Sequence, residues 1–137
     1  YGPLANGATV VMGGKPAERR GFFYEPTILT GVTPANPMFY EEFFGPVAIV
    51  IRADDEADAL RIANDCPFGL AGSVWTRNNV RGERIARQIQ AGAVFVNGMV
   101  KSDPRLPFGG IKRSGYGREL SHHGLREFVN TKTIWIR

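Results

Sequence analysis

Two carboxylates, Glu41 and Glu42, stand beside two phenylalanines and before a Gly-Pro break in the stretch EEFFGPV, residues 41–47. Close like charges can drive one carboxyl pKa upward and so make an acid/base pair. Neighbours in extended backbone, however, point to opposite faces, which argues against a cooperating dyad. The better reading turns one acid towards a pocket and leaves the other in water. A pocket-facing carboxylate could accept hydrogen bonds from ligand hydroxyls, as acidic residues do from ribose. The plainer alternative is a surface acid above a phenylalanine anchor.

Other reactive types are sparse. Cys66 is the single cysteine, no base is evident near it, and it falls on the apolar stripe of an expected helix, so it reads as a buried filler. His122 and His123 are adjacent and lack metal-ligand spacing, so no metal site is expected. PFGGIKRSGYGRE (107–119) is glycine-rich but lacks the GKS or GKT ending of a phosphate loop. Its glycines read instead as tight bends or close backbone approaches, with Lys112, Arg113 and Arg118 giving a basic cast. Arg77, Arg81 and Arg84 form a helical stripe, but without interleaved aromatics it reads as a solvated face, and no nucleic-acid partner is expected. Ser102, Asp103 and Phe108 lie in a long Gly/Pro-rich loop, residues 98–118. By default the serine is a turn residue and Phe108 an anchor, yet a loop of that length inside a compact domain is usually functional or disordered.

Those candidates need elements to hold them. PVAIVIR (46–52) is a continuous β-branched run, the mark of a strand buried on both faces. Residues 53–66 then show helical period, with Asp54 or Asp55 available as a cap and Pro67 as the stop. LAGSVWT (70–76) reads as the next strand, 77–91 as a helix with Gly92 suited to its C-terminal cap, and AVFVNG (93–98) as a third strand. Strands joined by single helices predict an α/β fold with a parallel βαβαβ segment. Before it, ATVVMGGK and FFYEPTIL resemble a hairpin or sheet edge; after it come a short helix at 121–129 and a last strand, TKTIWIR, at 131–137. The expected parts are 1–45, 46–130 and 131–137. In such sheets ligands sit beyond the C-terminal ends of parallel strands, which points to NGMVKSDPRLPFGG (97–110) as the site loop.

The chain has 137 residues, 43% of them apolar, with a net charge of +4, enough for a core and too little charge to argue for a polyanion partner. No apolar run approaches the roughly 20 residues of a membrane span, and no leader opens the sequence, so no membrane partner is expected. A lone cysteine favours a reducing compartment, and a cytoplasmic location is expected.

Five stretches in register, EEFFGPV (41–47), ANDCPFGLAGSVWT (63–76), GAVFVNG (92–98), LPFGGIKRSGYGRE (106–119) and GLREFVNTKTIWI (124–136), resemble the C-terminal part of the aldehyde dehydrogenase superfamily, and the last third is most similar to succinate-semialdehyde dehydrogenases. The resemblance implies oxidation of an aldehyde, succinate semialdehyde being the candidate, to its acid with NAD or NADP. In that family a cysteine thiolate attacks the carbonyl and a glutamate activates the water that releases the acid. It further implies that Glu42 grips the nicotinamide ribose, with Phe44 beside it and Leu70 lining the same pocket. Ser102 would contact the substrate carboxylate and Phe108 would wall the aldehyde tunnel. Residues 131–137 would join a sheet across a subunit boundary, making a homo-oligomer. The family's nucleophile, base and dinucleotide-binding half lie upstream of the matched region, so no catalytic residue is assigned here and the isolated chain is expected to be inactive. Cys66 does not stand in the nucleophile's motif. The opening YGPLANGATVVMGGK is shorter than the family's corresponding stretch. The rival expectation is a non-catalytic assembly module that keeps the fold and the subunit contact.

Overall fold

The computed structural model describes residues 7–137. The expectation about the junction at residues 1–6 lies outside them. The chain divides into two compact units, one ending at Ala59 and the other spanning Leu60–Arg137.

In the first unit β1 (Thr9–Met12) pairs antiparallel with β2 (Thr27–Thr30), which pairs parallel with β3 (Val47–Ile49). Register is set by Val10 opposite Leu29 and by Leu29 opposite Ile49. Leu29 faces a small core with Ala8 and Val32, onto which Val10, Met38, Phe39, Val47 and Ile49 pack. Buried Thr27 ties the excursion between β1 and β2 down: its Oγ1 accepts from the Gly14 N–H at 2.8 Å and donates to the Glu25 carbonyl at 2.8 Å. The run at 46–52, expected as one strand covered on both faces, ladders only over Val47–Ile49, and Val50 and Ile51 are exposed. Its partner is β2, not the strand at 70–76. A β-branched run announces a strand but carries no label for its neighbour, so pairing was not readable from it.

Helix α1 (Glu56–Asn64) starts on a reciprocal pair: Asp55 Oδ1 accepts from the Asp58 N–H at 2.8 Å, and Asp58 Oδ2 accepts from the Asp54 N–H at 3.1 Å. This satisfies donors that a helix start leaves without intrahelical partners. Because α1 ends at Asn64, Cys66 lies beyond it and is half-buried, where a fully buried place on the helix stripe was expected.

The second unit contains the expected right-handed type of βαβ connection: β5 (Ala71–Val74) pairs parallel with β6 (Ala93–Val96), joined by α2 (Asn79–Ala86). Asn78 caps α2, its Oδ1 accepting from the Arg81 N–H at 2.9 Å. A Cβ on buried Gly82 would stand 2.6 Å from Val96 Cγ1, so the missing side chain is what lets the helix lie close to β6. Val80, expected on the inward stripe, is exposed instead. The helix stops five residues before its expected end at 91, and Gly92 is therefore not its cap. A Cβ on Gly92 would overlap the Gly109 carbonyl oxygen; the glycine is required by close approach of the returning loop.

That loop is structured. Within it β7 (Ile111–Lys112) pairs antiparallel with β4 (Phe68–Gly69), and Ser114 Oγ accepts from the Gly69 N–H at 3.0 Å. Lys112 Nζ donates to the carbonyls of Asn64 (2.8 Å) and Cys66 (3.0 Å), meeting acceptors left over at the end of α1. The basic residue is thus a helix-end contact rather than a phosphate ligand. Helix α3 (Ser121–Arg126) follows. Residues 131–137, expected as a strand, form no ladder within the described chain, because a strand needs a partner and none is offered there. The α/β class stands, with the parallel segment divided between two sheets.

Candidate functional site

Glu42 and Phe44 belong to the first unit and are carried by a loop tethered at both ends. Asn36, fully buried, caps a 3-10 helix at Pro37–Tyr40: its Oδ1 accepts from the Met38 N–H at 3.0 Å. That helix ends with the Glu41 N–H donating to the Met38 carbonyl at 3.3 Å, and Glu41 turns extended, at φ −91° and ψ 145°. At the far end Thr27 N–H donates to the Pro46 carbonyl at 2.8 Å. Between the tethers both acids are exposed, and extended backbone at Glu41 supports opposite directions for the pair. Phe44 is 93% exposed and has φ +31°, a conformation L-residues rarely take. An exposed aromatic held in strained backbone is a common signature of a ligand-contacting position.

Leu70, Ser102 and Phe108 belong to the second unit. Leu70 sits at the start of β5, 44% exposed, its carbonyl accepting from the Ala93 N–H at 3.2 Å. From the C-terminal end of β6 the chain turns at Asn97, whose Oδ1 accepts from the Thr76 N–H at 2.8 Å. Ser73 Oγ donates to the Gly98 carbonyl at 3.0 Å beside it. The loop then returns along β6, and Phe108 and Glu119 exchange backbone hydrogen bonds at 2.9 and 2.8 Å. Between the returning loop and β6 lies a cleft of about 440 Å³, walled by β6 with Leu106, Pro107 and Phe108 and carrying Lys101 and Asp103. That volume is within the usual range for small-molecule sites.

So the structure places half-buried Phe108 in a cleft as a wall and puts Ser102, exposed, between two cleft residues. Leu70 does not line that cleft. The sequence reading missed Lys101 and the role of Asp103. Asp103 Oδ1 accepts from the Arg105 N–H at 3.0 Å and from its Nε at 2.9 Å, and Oδ2 from its terminal nitrogen at 2.6 Å. The Arg105 side chain, which makes these hydrogen bonds, holds the Asp103 carboxyl well below the ordinary carboxylate range. The signal was available in SDPR: an Asp-Pro turn start with an arginine two residues on. Among the described residues no group of three or more His, Cys, Asp or Glu could hold a metal ion.

The profile of the aldehyde dehydrogenase family matches residues 3–134. The chain belongs to the aldehyde dehydrogenase family. It is 53% identical over 133 residues to a Synechocystis protein named as a probable succinate-semialdehyde dehydrogenase (NADP+), covering 97% of this chain and 29% of that protein. Among solved structures, succinic semialdehyde dehydrogenase from Streptococcus pyogenes in complex with NADP+ superposes with a TM-score of 0.95 at 43% identity, over 98% of this chain and 30% of that one. A Mycobacterium tuberculosis aldehyde dehydrogenase complexed with NAD+ superposes with a TM-score of 0.88 at 43% identity, over 93% and 26%. This chain spans less than a third of the length of the curated relatives it matches.

The residues present suit the nicotinamide-ribose end of such a cofactor. Glu42 offers an exposed hydroxyl acceptor and Phe44 an exposed ring, both on a loop whose ends are hydrogen-bonded in place.

Proposed function

We propose that this chain is the C-terminal portion of an NAD(P)+-dependent aldehyde dehydrogenase that oxidises succinate semialdehyde to the acid. What carries the reading is the likeness to succinate-semialdehyde enzymes over 97% of the chain. The cleft beside β6 adds an apolar wall for a short carbon chain and a polar end for its carboxylate. Bound NAD(P)+ supplies the hydride acceptor. The residues of this chain position the reactants: Glu42 accepts the ribose hydroxyls, Phe44 and Leu70 border the nicotinamide end, Phe108 walls the aldehyde path and Ser102 donates to the substrate carboxylate. Orientation of this kind can supply several kcal/mol of a barrier without any group here entering the chemistry, on the order of the smaller proximity effects. NADP is favoured by the names of the relatives, and NAD is the alternative.

Alone, the 137-residue chain is proposed to be inactive. Its one thiol, Cys66, has its carbonyl bound by Lys112 and lies outside any nucleophile motif. The enzyme is placed in the cytoplasm, where a single free thiol is stable, and assembles as a homo-oligomer through 131–137. The deciding experiment measures reduction of NADP+ and NAD+ by the enzyme containing this segment, against succinate semialdehyde, butanal and acetaldehyde. Preference for the carboxylate aldehyde supports the proposal; equal or better use of the uncharged ones sinks the substrate assignment. Turnover by the isolated chain would sink the division of labour.

A further inference from the structure

We infer that Lys101 is the cation that recognises the substrate's far carboxylate in the cleft beside β6, and that the Asp103–Arg105 pair leaves its charge available. The inference rests on the proposal of a carboxylate-bearing aldehyde. Lys101 and Asp103 are the only charged residues lining the cleft. A bare Asp103 would cancel the lysine and repel an anion. Its carboxylate is instead taken up by Arg105 through three hydrogen bonds, two to one oxygen and one to the other. Arg105 does not line the cleft, and its side chain is 86% accessible while that of Asp103 is 21% accessible. The neutralising charge therefore arrives from outside. Among the described residues no carboxylate lies within ion-pair distance of Lys101 Nζ. With Asp103 paired, the net charge presented to a ligand is the lysine ammonium.

The placement fits a short bifunctional substrate. Leu106, Pro107 and Phe108 provide the apolar stretch, and Lys101 stands at the loop's other end, next to Ser102. A neutral hydroxyl alone orients a carboxylate weakly; a hydrogen bond to a charged donor is roughly twice as strong. Lys101 would thus decide between a carboxylate aldehyde and an uncharged one of equal length, with Ser102 refining the angle.

The test compares kcat/KM for succinate semialdehyde and for butanal in the enzyme containing this segment, as wild type, Lys101→Met, Lys101→Gln, Lys101→Arg and Ser102→Ala. Both neutral variants should lower the ratio of the two kcat/KM values about tenfold, mainly through KM for the carboxylate substrate, and Lys101→Arg should stay within about twofold of wild type. The salt dependence of the ratio should also weaken in the neutral variants. Two neutral side chains of different polarity guard against a folding defect in either one. A wild-type enzyme that prefers succinate semialdehyde, with the ratio unchanged in both neutral variants, overturns the inference and leaves the substrate proposal standing. A wild type with no preference overturns both. Loss of preference in Ser102→Ala alone assigns recognition to the hydroxyl and likewise overturns it.

Discussion

Phe44 takes a left-handed backbone one residue before Gly45, which could have adopted that conformation without a side-chain clash. Such strain costs about 1–3 kcal/mol and persists where the surroundings fix it and function uses it. Here it throws the ring into solvent beside Glu42. If that pair holds the cofactor, Glu42→Gln in the complete enzyme should lower kcat by roughly 10- to 100-fold, about 1.4–2.7 kcal/mol of barrier, with the unfolding midpoint little changed. Stopped-flow hydride transfer at wild-type rate in that variant would remove Glu42 from the cofactor site. Asp103 gives a second check, through pH. Its carboxyl is held low by hydrogen bonds from the Arg105 side chain first, then from the Arg105 backbone. A group whose folded pKa lies below the unfolded value of roughly 3.9 stabilises fully above that value and loses its effect as pH falls towards the folded one. Acid should therefore weaken the loop at 101–106 only well below about pH 4, and Asp103→Asn should flatten that part of the profile. A carboxyl titration of Asp103 at the ordinary position, followed by NMR, would show that the pair does not form in solution.

Asn36 shows how one buried polar side chain organises an element and, through it, the cofactor loop. It caps the 3-10 helix whose last turn delivers Glu41, and its own N–H donates to the Thr33 carbonyl at 2.8 Å. Removing a capping acceptor costs about 0.5–2 kcal/mol, and burial of the freed donor pushes towards the upper end. Asn36→Ala should lower the denaturant midpoint by that amount without changing the m-value, while Asn36→Asp should keep most of the cap. An unchanged midpoint would mean the 3-10 helix is held by Pro37 and core packing of Met38 and Phe39 alone. The sequence made the capping aspartates of α1, the β5–α2–β6 crossover and the exposed acids at 41–42 readable, because each rests on local spacing. It did not reveal that β3 seeks β2, that α2 stops at Ala86, or that Gly92 serves the Gly109 approach. Those depend on which distant backbone arrives, and no periodicity records that. The site followed the same rule: Phe108 was legible from its motif, whereas the Lys101–Asp103 arrangement emerged only once the loop was seen to fold back along β6.

The surface area carries the largest consequence. The chain exposes 10852 Å². A compact monomer of its mass would expose roughly 7,100 Å², and even two separate compact domains of half that mass roughly 8,500 Å². The described residues include only Ala8, Leu29 and Val32 as buried apolar side chains, while Phe128, Ile134, Trp135 and Ile136 are exposed, the tryptophan at 82%. Apolar surface on that scale is normally covered by another part of a protein or by a second copy. Ile134 and Ile136 fall on one side of an extended segment and Trp135 on the other, so residues 131–137 offer two apolar faces and an unused edge to any sheet that accepts them. Removing 131–137 from the complete enzyme should reduce its assembly state in sedimentation velocity. Ile134→Asp with Ile136→Asp should do the same, because charges placed on one face block strand addition without shortening the chain. The isolated 137-residue chain, with that edge and its apolar faces open, should bind a hydrophobic dye and self-associate at micromolar concentration. If instead it sediments as a monomer, binds no dye and unfolds in one sharp transition, its apolar surface is not an interface. The assembly role of 131–137 would then have to be abandoned.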